Sequence, residues 1–213
     1  MSQLLPLFPL QLVAFPGSAI PLHIFEERYR EMVGDAEAQG TEFGIVLARD
    51  NGIVNAGCTV VVEKVLERYS DGRFDVVTRG KRRFVLLSID REKAYLRGEV
   101  EYFDDDDWEP VTPELRTKAL VVSKEVRAAN EEDAHGENQE AEPDPEHPLL
   151  SFQLARTVRD LDFQNMILRS RSEAGRLRQF VEFANEYVPK VQYAVRMKRL
   201  VPGNGSGHRP ANI

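Results

Sequence analysis

Cysteine is nearly absent from this chain. Cys58 is the only one in 213 residues, which excludes an intramolecular disulfide framework and a zinc ribbon. No His or Asp lies near it in sequence, so a buried hydrophobe is expected rather than a reactive thiolate. Long apolar runs are also missing. No stretch approaches the ~20 residues of a membrane span. The N-terminus lacks a basic n-region and an uninterrupted apolar h-region, so no signal peptide is expected and the cytoplasm is the expected location. Positive charge is in deficit, with 28 Lys and Arg against 35 Asp and Glu. That balance argues against a general nucleic-acid binder.

Catalytic signatures are absent too. There is no GxSxG, HExxH or paired-carboxylate motif. Ser123 and Lys124 are adjacent in a helical stretch, so their side chains diverge. Gly52 to Thr59 has P-loop spacing but carries Cys58 where the phosphate-binding lysine belongs, and its flanks read as strands. Asp104 to Asp107 lacks the alternation and glycine of a calcium loop and reads as a solvated acidic turn. His135 and His147 read as solvated, and His23 as a structural histidine. No enzyme activity, metal or cofactor is expected.

What is present is uneven in charge. Residues 129–148 hold eight acidic residues and no Lys or Arg, and read as a disordered acidic loop. Residues 149–213 hold eleven basic residues against five acidic ones. Their densest cluster, Arg169, Arg171, Arg176 and Arg178, reads as a solvated helix face. It is also a candidate contact for an anionic partner, or for the acidic loop within the chain.

Apolar residues make up 42% of the chain, enough for a real core. Leu5 to Arg30, LPLFPLQLVAFPGSAIPLHIFEERYR, is the most informative stretch. Pro6, Pro9, Pro16 and Pro21 cannot lie in a central strand without a bulge or an edge. Short broken strands are predicted at Leu4–Phe8, Leu10–Phe15 and Ile20–Ile24, with a turn at Pro16-Gly17. This suits a small curved β structure rather than a parallel sheet. Phe25 to Gln39 is predicted as a helix burying Phe25, Tyr29, Met32, Val33 and Ala36, ended by Gly40. Strands follow at Phe43–Ala48, Thr59–Leu66, Arg73–Arg79, Arg82–Ile89 and Tyr95–Phe103, with Gly80 as a break. Thr112 and Pro113 open a helix burying Leu115, Ala119, Val122 and Val126. Further helices cover Leu149–Val158, a segment capped by Asp162, and one capped by Ser172 that Pro189 kinks or ends. The fold class is α+β.

The opening segment closely resembles the start of the Lon N-terminal domain, the substrate-recognition module of the Lon proteases. The residues that carry this are Leu7-Phe8-Pro9-Leu10, Phe15-Pro16-Gly17, Pro21 to Glu26 and Arg28-Tyr29-Arg30. The likeness continues through Phe43 to Val46, Gly57 to Thr59, Asp71 to Arg73 and Gly80 to Phe84, weakens across the acidic insert, and returns loosely from Leu149 to Val188. It implies a PUA-like β pseudo-barrel followed by a helical bundle. The corresponding division is 1–110, 111–200 and a flexible tail 201–213. A stand-alone, non-catalytic Lon-domain protein is expected, since the ATPase and the Ser–Lys peptidase of Lon proteases have no counterpart here. Its expected partners are unfolded or exposed polypeptide segments, with an ATPase or protease in trans, in protein quality control or as an adaptor. Phe15, Pro16, Phe25 and Tyr29 are the candidate substrate contacts. PUA-like folds often contact RNA, so RNA binding through the basic C-terminal helices is the alternative.

Overall fold

The structure is a computed structural model that describes residues 4–106, 109–133 and 142–200. Six strands form one mixed sheet: β1 (Leu5–Leu10), β2 (Ala19–Ile24), β3 (Phe43–Arg49), β4 (Gly52–Arg68), β5 (Phe74–Asp90) and β6 (Arg97–Phe103). The helices are α1 (Glu27–Gln39), α2 (Pro113–Asp133), α3 (Leu150–Arg156), α4 (Leu161–Arg169) and α5 (Glu173–Leu200). The sheet runs β2-β5-β4-β3-β1-β6, and β6 also pairs with β5. Hydrogen bonding therefore closes a circuit of β1, β3, β4, β5 and β6, with β2 added outside on β5. The β1–β6 closure is only two register pairs long, so the sheet is strongly curled rather than a regular barrel.

Inside the circuit Leu5, Leu7, Val46, Phe84 and Leu86 make a small dry cluster. Its space is set by glycine. A Cβ on Gly57 would run into the Phe84 ring and the Ile45 carbonyl. The other faces of β1 to β5 carry Phe8, Ile45, Phe43, Cys58, Val60 and Val76 into a larger cluster, which continues through α1 to Leu150, Phe163 and Phe180 of the C-terminal helices. Cys58 is fully buried as expected, and burial pushes its thiol up to about 12.

Several elements differ from the sequence reading. The stretch Leu10–Phe15 is not a strand beyond Leu10. β1 instead contains both Pro6 and Pro9 and pairs in parallel with β3. The prolines fit because the two ladders are staggered. The β3 pairing starts at Leu7, beyond Pro6, and the β6 pairing stops at Pro6, before Pro9. Each proline therefore has one side without a strand partner. β5 runs unbroken through Gly80, where a Cβ would strike the Phe15 carbonyl; the glycine permits a close approach of backbones instead of ending a strand. Gly52 to Thr59 lies wholly within β4, an extended strand and not a phosphate loop.

Among the helices, Gly40 closes α1 at φ 64°, and Tyr29, Met32, Val33 and Ala36 are its buried residues. Phe25 is 59% exposed, ahead of the helix, and takes no part in the core. The Thr112 hydroxyl accepts from Leu115 N, and the Ser172 hydroxyl accepts from Gly175 N, so both cap as expected. α4 is capped by Asp160, whose side chain accepts from Asp162 N and Phe163 N; Asp162 itself lies in the first turn. Pro189 lies inside α5 without ending it. In the acidic segment α2 continues to Asp133 with Ala129 and Asn130 buried, residues 142–148 are described, and 134–141 lie outside the described residues. His135 and the tail 201–213 lie outside the described residues.

Candidate functional site

The turn between β1 and β2 is built by Ser18. Its hydroxyl donates to the Phe15 carbonyl at 2.6 Å and accepts from Phe15 N at 3.2 Å. Gly17 N donates to the Gly80 carbonyl, which fastens the turn to β5. The Phe15 ring points inward, 1% exposed, and stacks on Phe152 of α3 at 5.3 Å between centroids.

A cavity of about 240 Å³ opens against this turn. Phe15, Phe152 and Leu149 supply apolar walls, and Glu142, Asp144, His147, Gln153 and Arg156 supply polar ones. Small-molecule sites usually span about 300 to 1,000 Å³, so this one is sized for a single large side chain. The 142–149 wall is held by its own bonds. Asp144 N donates to the Gln153 side chain at 2.7 Å, and Leu149 N donates to His147 Nδ1 at 3.1 Å. Arg116 donates to the Pro145 and His147 carbonyls. His147 is thus a half-buried structural residue, not a solvated one.

The sequence candidates divide. Phe15 and Pro16 both line the cavity. Tyr29 is 6% exposed, with its ring 4.1 Å from Phe8, and belongs to the core. Phe25 sits at the other end of β2, exposed, 5.9 Å from the His23 ring. His23 Nδ1 lies 2.5 Å from Asp75, and Tyr69 donates to the same carboxylate at 2.7 Å. The hydrogen bond to Asp75 pushes the Tyr69 phenol up to about 12, and the bond to His23 holds Asp75 below the usual carboxylate range.

The arginine cluster is mostly consumed within the chain. Arg176 is fully buried. It makes two 2.7 Å bonds to Asp105, one to Glu173 at 2.7 Å, and others to Ser151 and the Ser170 carbonyl. Nothing of it is left for an outside anion, because burying a cation requires such pairing. Arg171 pairs with Asp106 and Arg178 with Glu109; Arg169 is exposed. Asp105 also takes Arg83, 5% exposed, so it is a half-buried junction of two arginines, while Asp104 and Asp106 beside it stay exposed. Ser123 is buried and bonded to the Leu120 carbonyl, while Lys124 is exposed, so the two do not meet. No group of His, Cys, Asp and Glu among the described residues could hold a metal ion. No described helix is long and apolar enough to cross a membrane.

The cavity's far wall, from Glu142 to Arg156, gave no signal in the sequence, since only the fold brings it to the Phe15 turn.

Comparison with known proteins agrees with this architecture. The family model described as the ATP-dependent protease La (LON) substrate-binding domain matches residues 4–184. The Lon protease of Porphyromonas gingivalis is 26% identical over 114 residues, 49% of this chain and 13% of that protein. The Lon protease of Anaeromyxobacter dehalogenans is 27% identical over 128 residues, 56% of this chain and 15% of its own length. The chain thus spans a small fraction of the curated relatives that it matches. The crystal structure of a Lon N-terminal domain protein from Xanthomonas campestris aligns with a TM-score of 0.66 at 26% identity, covering 84% of this chain and 98% of that one. The N-terminal domain of the Mycobacterium avium complex Lon protease shares the fold, with a TM-score of 0.58 at 17% identity over 87% of this chain and 100% of its own. With most of its length matched, the chain belongs to the Lon substrate-binding domain family.

Proposed function

We propose that this chain recognises exposed or unfolded segments of other polypeptides. The observation that carries the reading is the cavity against the Phe15–Ser18 turn, with apolar walls, a polar rim and room for one large side chain. Family membership points to the same function. Phe15 and Pro16 form its near wall, and Phe25 is an exposed apolar contact at the other end of β2. Such recognition serves protein quality control, with this chain as an adaptor or with an ATPase or protease in trans. The RNA alternative keeps only part of its basis, since Arg176 is buried and Arg171 and Arg178 are ion-paired within the chain.

Reduced, carbamidomethylated lysozyme against native lysozyme tests the reading at matched charge. The unfolded form binds and the native form does not. Filling the cavity with Arg156→Trp weakens that binding while the thermal transition stays in place. Equal retention of both forms, or of neither, would overturn the proposal.

A further inference from the structure

β2 is an edge strand. It pairs with β5 over Ala19–Ile24 and with no other strand among the described residues. Its outer row of backbone groups pairs with no strand among the described residues, which makes it the side on which a further strand would add. Natural edges are blunted by charge, bulges or proline; here Pro21 alone interrupts the strand.

The edge has a feature at each end. The Phe15–Ser18 turn and its cavity stand before Ala19, and Phe25 follows Ile24. Six residues of strand span about 20 Å, so one extended segment of similar length reaches both.

Carboxylates flank both ends. Glu142 and Asp144 line the cavity, and Glu146 is exposed beside them. Glu27 and Asp35 are exposed on α1, beyond Phe25. Nearby cations are largely taken: Arg28 pairs with Glu26, Arg73 with Asp71 and Arg79 with Glu63. Arg30 donates to the Asp71 carbonyl. Arg30, Arg116, which donates to the Pro145 and His147 carbonyls, and Arg156 on the rim have no carboxylate partner among the described residues and keep their charge. Carboxylates still outnumber these cations at each end, Glu142, Asp144 and Glu146 against Arg116 and Arg156, and Glu27 and Asp35 against Arg30, so the local field is negative along the edge.

We infer that β2 takes up a cationic polypeptide segment as an added strand, with one large apolar side chain in the Phe15–Ser18 cavity and Lys or Arg on its flanks. This rests on the polypeptide-recognition reading and names the substrate class. Backbone pairing supplies sequence-tolerant affinity, the cavity selects the anchor, and the carboxylates select the flanks and speed encounter.

Fluorescence anisotropy with labelled peptides of about ten residues tests it. Three share a Leu-Val-Phe core: one flanked by Lys, one by Glu, and one flanked by Lys with alternate backbone amides N-methylated. At low salt the Lys-flanked peptide binds about tenfold tighter than the Glu-flanked one, and the gap closes as salt screens the charges. N-methylation weakens binding by at least a similar factor. The double variant Glu27→Lys, Glu142→Lys, which touches two exposed side chains, removes the preference for Lys flanks. Equal affinity for both flanks at low salt, or indifference to N-methylation, overturns this inference. If unfolded lysozyme still binds in that case, the broader reading survives; if neither peptides nor unfolded lysozyme bind, both fall.

Discussion

Arg176 shows how one residue can hold two halves of a chain together. Its guanidinium joins Asp105, on the segment leaving β6, to Ser151 of α3 and Glu173 of α5, and lies over Phe152 at 4.3 Å. Asp105 is the shared anion, since it also accepts from Arg83 at 2.6 Å. Burial opposes its ionisation, but the bonds from Arg176 and Arg83 outweigh this and hold its carboxyl below the usual range. A depressed native pKa contributes stability above the unfolded value of about 3.9, and that stability is lost as pH falls through the native value. Asp105→Asn leaves two buried cations short of a counter-charge and costs about 3 kcal/mol at neutral pH. Urea unfolding should also show a smaller stability gap to wild type below about pH 4. A gap that stays constant into acid would contradict the assignment. Phe25 is the opposite kind of residue. Phe25→Ala should change stability by less than about 0.5 kcal/mol yet weaken binding of unfolded lysozyme; a large thermal shift would place Phe25 in the core after all.

Elements were legible where local chemistry decides them. The 3.6-residue spacing of Tyr29, Met32, Val33 and Ala36 marked α1, and Gly40 marked its end. Thr112 and Ser172 were legible as caps for the same reason. Legibility failed where long-range pairing decides. Nothing in Pro6 and Pro9 says that two staggered ladders spare them, and nothing near Gly80 says that Phe15 approaches it. The α4 cap was misplaced by two residues because Asp160 and Asp162 are both chemically able; only the backbone shows that Asp160 precedes the first turn. Asp160→Ala should therefore destabilise the protein by about 1 kcal/mol, whereas Asp162→Ala removes no cap. Chemical denaturation of the two variants compares them directly. Equal losses would contradict this capping scheme.

At the scale of the molecule, the acidic 142–148 segment and α3 come back onto the turn that precedes β2. That meeting creates the cavity, and no local motif announces it because the two walls, Phe15–Ser18 and Glu142–Arg156, lie far apart in sequence. The family was readable from the first thirty residues, but the place of the site was only half readable: Phe15 and Pro16 were named, and their partners were not. Polypeptide docking at this meeting point and along β2 is the function proposed for the molecule. Amide hydrogen exchange with and without unfolded lysozyme tests it most directly. Exchange slows across residues 15–25 and 142–156 when the unfolded protein binds. Slowing confined to other surfaces, with these two segments unchanged, would contradict it.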